Sequence, residues 1–404
     1  MTTNQINKKI QLITRIGVSL HKYGANAQRL EASLTTISQH LGLNGNFFST
    51  PTYLMIAIDS DEEQINSHVR VTPGDTNLSS LQDVDQLVDK LINNEVTVEE
   101  CLQRLAIIQS SPFKYPGLIQ ILSFMSTSGA LAIILQGGLI ETILSFILSF
   151  IVGFLAWFKQ FNIKLTEIYE FFCSFLVMLS CYILSYHELQ FNYQTVLISS
   201  LIVIIPGLGL TTAMNELATQ NLASGTARLM GALIDLFKIS FGILLGIEVG
   251  KMYFGEIELS AALPFQYSMM IPALIVASLS FTIIFNARIK DFGFVLLSGI
   301  ISLGSLYLCQ LHMTQVLSIF IASFTIAFSS NLFARLSNRP SAIMLVPGII
   351  FLVPGSVGLK GLNLILQNLY LEGLATGFQM FLIAITIVAG MFLANVMMNP
   401  RKTL

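Results

Sequence analysis

From Leu118 to Met398 the sequence is a succession of apolar runs, each of about 20 residues, the length a helix needs to cross a bilayer's hydrocarbon core. Lipid offers the backbone no hydrogen-bond partners, so such runs fold as α-helices whose polar groups bond within the segment. The runs lie near 118–136, 139–157, 168–187, 195–213, 222–250, 267–287, 291–308, 314–333, 341–359 and 376–398, about ten spans. The chain is 53% hydrophobic and 11% charged, where a soluble domain would carry about 25% charged residues. Most of it must therefore face lipid. A net charge of −2 without a basic patch argues against a nucleic-acid partner. Cys101, Cys173, Cys181 and Cys309 show no metal-ligand spacing, so no metal or cofactor is expected, and Cys173 and Cys181 are expected to pack as small apolar groups. The first twenty residues have no apolar core followed by a small-residue cleavage site, so no signal peptide is expected.

Lysine and arginine placement tests the span count. With the N-terminal part in the cytoplasm, the loops on its side hold Lys159, Lys164, Arg288, Lys290, Arg335 and Arg339, and the tail adds Arg401 and Lys402. The opposite loops hold only Lys251 and Lys360. This is the asymmetry of a multi-pass protein of the plasma membrane with both termini cytoplasmic.

The spans divide into two sets of five whose starts are offset by roughly 150 residues (118 with 267, 139 with 291, 168 with 314, 195 with 341, 222 with 376). Five is odd, so the halves cross the membrane in opposite senses. The fourth span of each carries a helix-breaking motif: Ile205-Pro206-Gly207-Leu208-Gly209 in the first, Val353-Pro354-Gly355-Ser356 in the second. Val346-Pro347-Gly348 is expected to add a further break. Proline removes a backbone donor and glycine weakens a helix, though both are common in membrane helices. Interrupted spans at matched places in two inverted halves point to a secondary transporter's binding site. Pro206, Gly207, Pro354, Gly355 and Ser356 are therefore candidate site residues.

Thr211, Thr212 and Asn215 follow the first break, either to bind a small polar solute or to re-satisfy freed backbone groups. The fifth span carries Arg228, Asp235 and Lys238. Ionisable groups at membrane depth are costly and are functional candidates by default. Asp235 and Lys238, three residues apart, can pair, and serve either transport and proton coupling or a structural ion pair. Arg228 near the cytoplasmic end is either a site residue or an interfacial anchor. Arg228, Asp235, Gly242 and Gly246 fall close to one line on the helix, with Ser224 and Gly231 near it, and this face is expected to pack inward.

Residues 1–116 read as a soluble α+β domain, followed by membrane halves at 117–258 and 259–404. Two amphipathic helices lie between Ile10 and Leu41, with Gly24 closing the first and Asn26 capping the second. Strands follow in Phe47–Ile58 and Gln64–Thr72, then helices from Ser80 and from the capping box Thr97-Val98-Glu99-Glu100. Asp83, Asp85 and Asp89 are expected on a solvated face, and no nucleophile motif suggests an enzyme.

Gly24-Ala25 with Arg29-Leu30-Glu31, Ile205-Pro206-Gly207 with Thr211-Thr212, Gly225-Thr226-Ala227-Arg228-Leu229, and Val353-Pro354-Gly355-Ser356 occur in an order and spacing that resemble the threonine/serine exporter family over nearly the whole chain. The resemblance implies an α-helical polytopic membrane protein in the fused form, with a cytoplasmic domain and two five-span halves, that exports threonine and serine on the proton gradient. Split-gene members of that family are associated with dicarboxylate export, which keeps a succinate-type exporter as the alternative, with Arg228 and Lys238 meeting the carboxylates. A membrane-anchored enzyme or sensor working through the N-terminal domain is a second alternative, and a passive channel a third. The partners expected are a small solute, protons and the bilayer. A homo-oligomer is compatible with the sequence.

Overall fold

A computed structural model of the chain describes residues 3–59, 64–74, 76–110, 115–257 and 263–399. Arg401, Lys402 and the boundary between 258 and 259 lie outside the described residues.

The N-terminal part runs α1 (Thr3–Lys22), α2 (Ala27–His40), β1 (Asn44–Thr50), β2 (Tyr53–Asp59), β3 (Gln64–Arg70), α3 (Leu78–Ile92) and α4 (Val98–Ser110). The strands form one antiparallel sheet in the order β1-β2-β3. Leu54, Ile56 and Ile58 of β2 share a core with Ile13 and Ile16 of α1 and Leu30, Leu34 and Ile37 of α2. Gly24 ends α1 with φ +90°, a conformation glycine adopts without strain. The Asn26 side chain caps α2 by accepting from the Arg29 N–H at 3.0 Å. Thr97 and Glu100 exchange capping bonds at 2.9 and 3.3 Å. Helix α3 starts at Leu78 rather than Ser80, because Asn77 takes the cap and accepts from the Ser80 N–H at 3.0 Å.

The membrane part consists of α5 (Gly117–Ile134), α6 (Leu139–Phe158), α7 (Ile163–Tyr186), the broken pair α8 (Tyr193–Leu201) and α9 (Gly207–Ala218), and α10 (Leu222–Phe254). Then come α11 (Met270–Ile284), α12 (Phe292–Gln310), α13 (Gln315–Ser337), the broken pair α14 (Ala342–Ile350) and α15 (Gly355–Leu366), and α16 (Tyr370–Met397). Eight segments among the described residues are long and apolar enough to cross a membrane, counting α14 with α15 as one. The two remaining expected spans are α8–α9, divided by its break, and α11, a 15-residue apolar helix preceded by a 3-10 turn at Tyr267–Met269. The protein is thus an α-helical polytopic membrane protein with a small three-stranded sheet near its N-terminus.

Packing repeats between the halves. Helix α10 lies along α7 and α16 along α13, while α9 and α15 each touch both α10 and α16. Small residues let these pairs approach closely. A Cβ built at Gly242 would fall 2.1 Å from Ser174 Oγ on α7, and one at Gly390 would fall 2.1 Å from Ser323 Oγ on α13. Gly246 packs the same way on Met178, but Gly231, expected on this stripe, faces open space. Hydroxyl and amide pairs bind neighbouring helices: Ser128 with Ser149, Ser145 with Ser199, Thr325 with Ser305, and Asn331 with Asn395.

The Val346-Pro347-Gly348 motif does not break its helix; Pro347 lies inside α14 and only the Pro354 motif interrupts the span. The helix is held through this point by side packing, since a Cβ at Gly348 would meet Ile326 of α13 at 2.5 Å and Ser302 of α12 at 3.1 Å. One lost backbone bond is tolerated where neighbours fix the helix.

Introducing Val at Gly242 or at Gly390 should destabilise the protein by about 1–3 kcal/mol each through overpacking, read as a lower melting temperature in detergent. Gly231→Val, entering open space, should leave it unchanged. Equal losses at all three positions would contradict the repeated packing.

Candidate transport site

The two breaks have the same local geometry because they have the same local sequence. Pro206 precedes α9 with φ −77° and ψ 43°, and Pro354 precedes α15 with φ −83° and ψ 20°. The glycine after each proline is required by contact with the other break. A Cβ at Gly207 would lie 2.6 Å from the Val353 side chain and 3.3 Å from Gly355 Cα, and one at Gly355 would lie 3.0 Å from Gly207 Cα. The unwound segments therefore cover one another and are shielded from lipid, where unbonded backbone groups are not tolerated. Thr211 Oγ1 donates to the Gly207 carbonyl at 3.2 Å, so this hydroxyl satisfies the backbone beside the break. Ser356 lies half-buried in the first turn of α15.

Beside the crossing lies a cavity of about 110 Å³. A water needs roughly 10–15 Å³ on that measure, so there is room for several waters or one small solute. Its polar wall is Thr211, Thr212 and Asn215 of α9. Its apolar wall is formed mainly by Ala342, Leu345, Val346 and Ile349 of α14. The N-terminal part supplies the remaining side, with Gly24, Ala25, Asn26, Arg29 and Leu81. Among the described residues, the Thr212 hydroxyl and the Asn215 amide show no side-chain hydrogen bond to protein. A few polar groups on an otherwise apolar wall suit a small amphipathic ligand.

Arg228 is held by a carboxylate. Its Nε and Nη2 donate to the two carboxylate oxygens of Glu216 at 3.1 and 3.2 Å, and the Glu216 side chain is fully buried. Ser224 Oγ donates to the same carboxylate at 2.8 Å, and so does the backbone N–H of Ala27, the first residue of α2, at 3.0 Å. A carboxylate placed at a helix N-terminus takes up an otherwise orphaned donor and meets the positive end of the dipole. Removing one partner of a buried ion pair costs roughly 3–5 kcal/mol, which ties Glu216 to Arg228.

Groups of the N-terminal part crowd the same place. Arg29 donates to Ser341 Oγ at 3.0 Å, and burial lowers its pKa while Asp85 opposes that shift. Burial pushes the Glu31 carboxyl up, against the Ser49 N–H that it accepts, and the Glu216 charge adds to the rise. Burial lowers the His21 pKa; the Thr50 carbonyl opposes this and the Arg228 charge reinforces it. Asp85 is not on a solvated face: it is fully buried beside Arg29, because α3 packs into the domain core on that side. Asp83 pairs with Arg288 at 2.5 Å.

Asp235 and Lys238 are placed apart from the cavity. Lys238 Nζ lies 3.3 Å from Asp235 Oδ1 and 3.4 Å from Glu170 Oε2 of α7, with all three side chains partly exposed. Ile234, Phe237 and Phe241 are exposed on the same helix, so the triad sits toward the outer wall. The cavity is lined by Thr211, Thr212 and Asn215 but by none of Arg228, Asp235 and Lys238. Sequence reasoning missed Glu216, Arg29 and Glu170. Arg29 lay within a quoted motif, and Glu216 stands one residue after Asn215, a faint signal for either.

Comparison with known proteins agrees with this architecture. Residues 11–250 match the family model described as "Putative threonine/serine exporter", and residues 271–397 match "Threonine/Serine exporter, ThrE". A threonine/serine exporter of Corynebacterium glutamicum is 24% identical over 330 residues, covering 80% of this chain and 67% of the relative. Pheromone-regulated membrane protein 10 of Yarrowia lipolytica is 26% identical over 379 residues, 88% of this chain and 30% of that protein. The uncharacterized protein C7D4.12c of Schizosaccharomyces pombe is 22% identical over 424 residues, 98% of this chain and 56% of its own length. The chain thus spans less than a third of the length of the pheromone-regulated yeast proteins it matches. No solved structure matches. With one model matched across more than half of its length and the second across most of the rest, the chain belongs to the threonine/serine exporter family.

Proposed function

We propose that this membrane transporter exports small hydrophilic amino acids of the threonine and serine kind from the cytoplasm, coupled to proton entry. The observation that carries the reading is the meeting of two half-helix N-termini, at Gly207 and Gly355, beside the cavity of Thr211, Thr212 and Asn215. By helix geometry the first-turn N–H groups of α9 and α15 point into the break, which suits a carboxylate. The hydroxyls and the amide suit the ammonium and side-chain hydroxyl of the same solute. The printed name of the Corynebacterium relative supports that substrate class.

Coupling falls to Asp235. Its partner Lys238 is shared with Glu170, so a proton arriving on Asp235 leaves Lys238 with one counter-charge instead of two. Pro206, Pro354 and Ser356 shape the crossing rather than touch the solute, and Arg228 acts through Glu216. The protein sits in the plasma membrane with both termini cytoplasmic and works as three units, residues 1–116, 117–258 and 259–404. In support, the soluble domain touches Glu216, residues 285–288 and Ser341, and the loops there carry the lysine and arginine excess.

In proteoliposomes, internal threonine or serine should drive counterflow of labelled threonine, while succinate should not. Exchange with succinate alone would replace the amino-acid reading by a dicarboxylate one. Asp235→Asn should lose proton-driven accumulation yet retain threonine–threonine exchange. Proton-driven transport at the wild-type rate would remove Asp235 from coupling.

A further inference from the structure

We propose that the soluble domain is the inner gate of the membrane pathway, and that Glu216 is the latch holding the α1–α2 loop across the cavity. This rests on the transport reading and adds to it a moving part and its fastening.

Three observations converge. First, Gly24, Ala25 and Asn26 of the α1–α2 loop, with Arg29 and Leu81, form the side of the cavity supplied by the N-terminal domain. The other walls are α9, α14 and α16, which are packed into the helix bundle. A solute coming from the domain's side must pass the loop. Second, the contacts that seat the domain are directional and reach several elements of the membrane part. The Ala27 N–H meets Glu216 on α9, Arg29 meets Ser341 before α14, and the Leu78 and Ser79 N–H groups meet the carbonyls of Phe285 and Asn286 after α11. Arg288 and Asp83 close the same edge. Third, Leu12, Ile13, Leu30, Leu34, Leu54 and Ile56 are fully buried among the domain's own helices and strands, and the cluster continues to the membrane part through Ala273, Ala277, Phe281 and Phe285, so displacing the domain means parting that apolar seam as well as the polar contacts.

Glu216 fits the latch because its carboxylate joins all the parties. Arg228 and Ser224 of α10 hold it from the membrane side, and its remaining bond goes to the buried first residue of α2, Ala27. Breaking that one bond frees an orphan donor at the α2 start, which water can satisfy once the loop has moved. The fastening is thus reversible without disturbing the bundle.

The test uses the full-length chain with Cys309→Ser; the other three cysteines are buried. A cysteine at Thr212 reports on the cavity through its reaction with a membrane-impermeant maleimide. We expect Glu216→Ala to speed this reaction by at least about ten-fold, since it raises the population of the open form. In a second variant Ser79 and Asn286 become cysteines. Their backbones are joined by one hydrogen bond, 3.2 Å from N to O, so a disulfide at this pair would tie α3 to the end of α11. Oxidised, this pair should keep Thr212→Cys protected and, in the chain that retains Thr212, abolish efflux; reduced, access to the cysteine and efflux in the Thr212 chain should each recover. Efflux through the oxidised pair at the reduced rate, or labelling indifferent both to Glu216→Ala and to the disulfide, overturns the proposal. The labelling needs no substrate, so it reads the gate even if the reduced protein exports none of the solutes tried, an outcome that counts against the transport reading instead.

Discussion

The structure depends on one constraint: a helix interrupted inside a bilayer must have its freed backbone covered by protein. Here each break covers the other. Gly207 and Gly355 approach so closely that neither has room for a side chain, and the prolines before them hold equivalent conformations. Everything nearby follows from that crossing. Helices α9 and α15 start at it, each touches both long helices α10 and α16, and the cavity opens along α9 and α14 on one side. Two helix N-termini brought together also concentrate partial positive charge, roughly half an elementary charge from each before screening. Such a place favours an anionic group that comes and goes.

The halves share a backbone design and differ in charge. The first half carries Glu216, Arg228, Asp235, Lys238 and Glu170; with Gly390 set against Gly242 by their matching contacts, the second half has Ile383 and Thr386 where Asp235 and Lys238 stand. The charges form two groups with different surroundings. Glu216 and Arg228 are drawn into the seat of the soluble domain. The triad of Asp235, Lys238 and Glu170 remains on α7 and α10, with Glu170 only two turns, roughly 10 Å, from the domain-side end of its helix. Binding, coupling and closure are thus assigned to separate places that share α9 and α10.

The span boundaries, the paired breaks and the caps at Asn26 and Thr97 were legible in the sequence because each is set by local physics: apolar length, proline and glycine, or a side chain reaching its own helix end. What was not legible depends on docking. Asp85 reads as solvated until α3 is seen packed beside Arg29. Arg228 reads as either a site residue or an interfacial anchor, and nothing local shows that Glu216 will hold it. Pro347 reads as a break until Ile326 and Ser302 are seen holding α14 in place. Local composition carries no record of which distant residue will be brought alongside.

The central claim is that solute occupies the cavity between α9 and α14. Its most direct test is the rate at which a small thiol reagent modifies a cysteine placed at Thr211, with and without threonine. At about ten times the dissociation constant, mass action predicts a rate roughly ten-fold lower, with no protection of a cysteine at the exposed Ile107 of α4. Equal rates at the Thr211 position with and without threonine would place the site elsewhere.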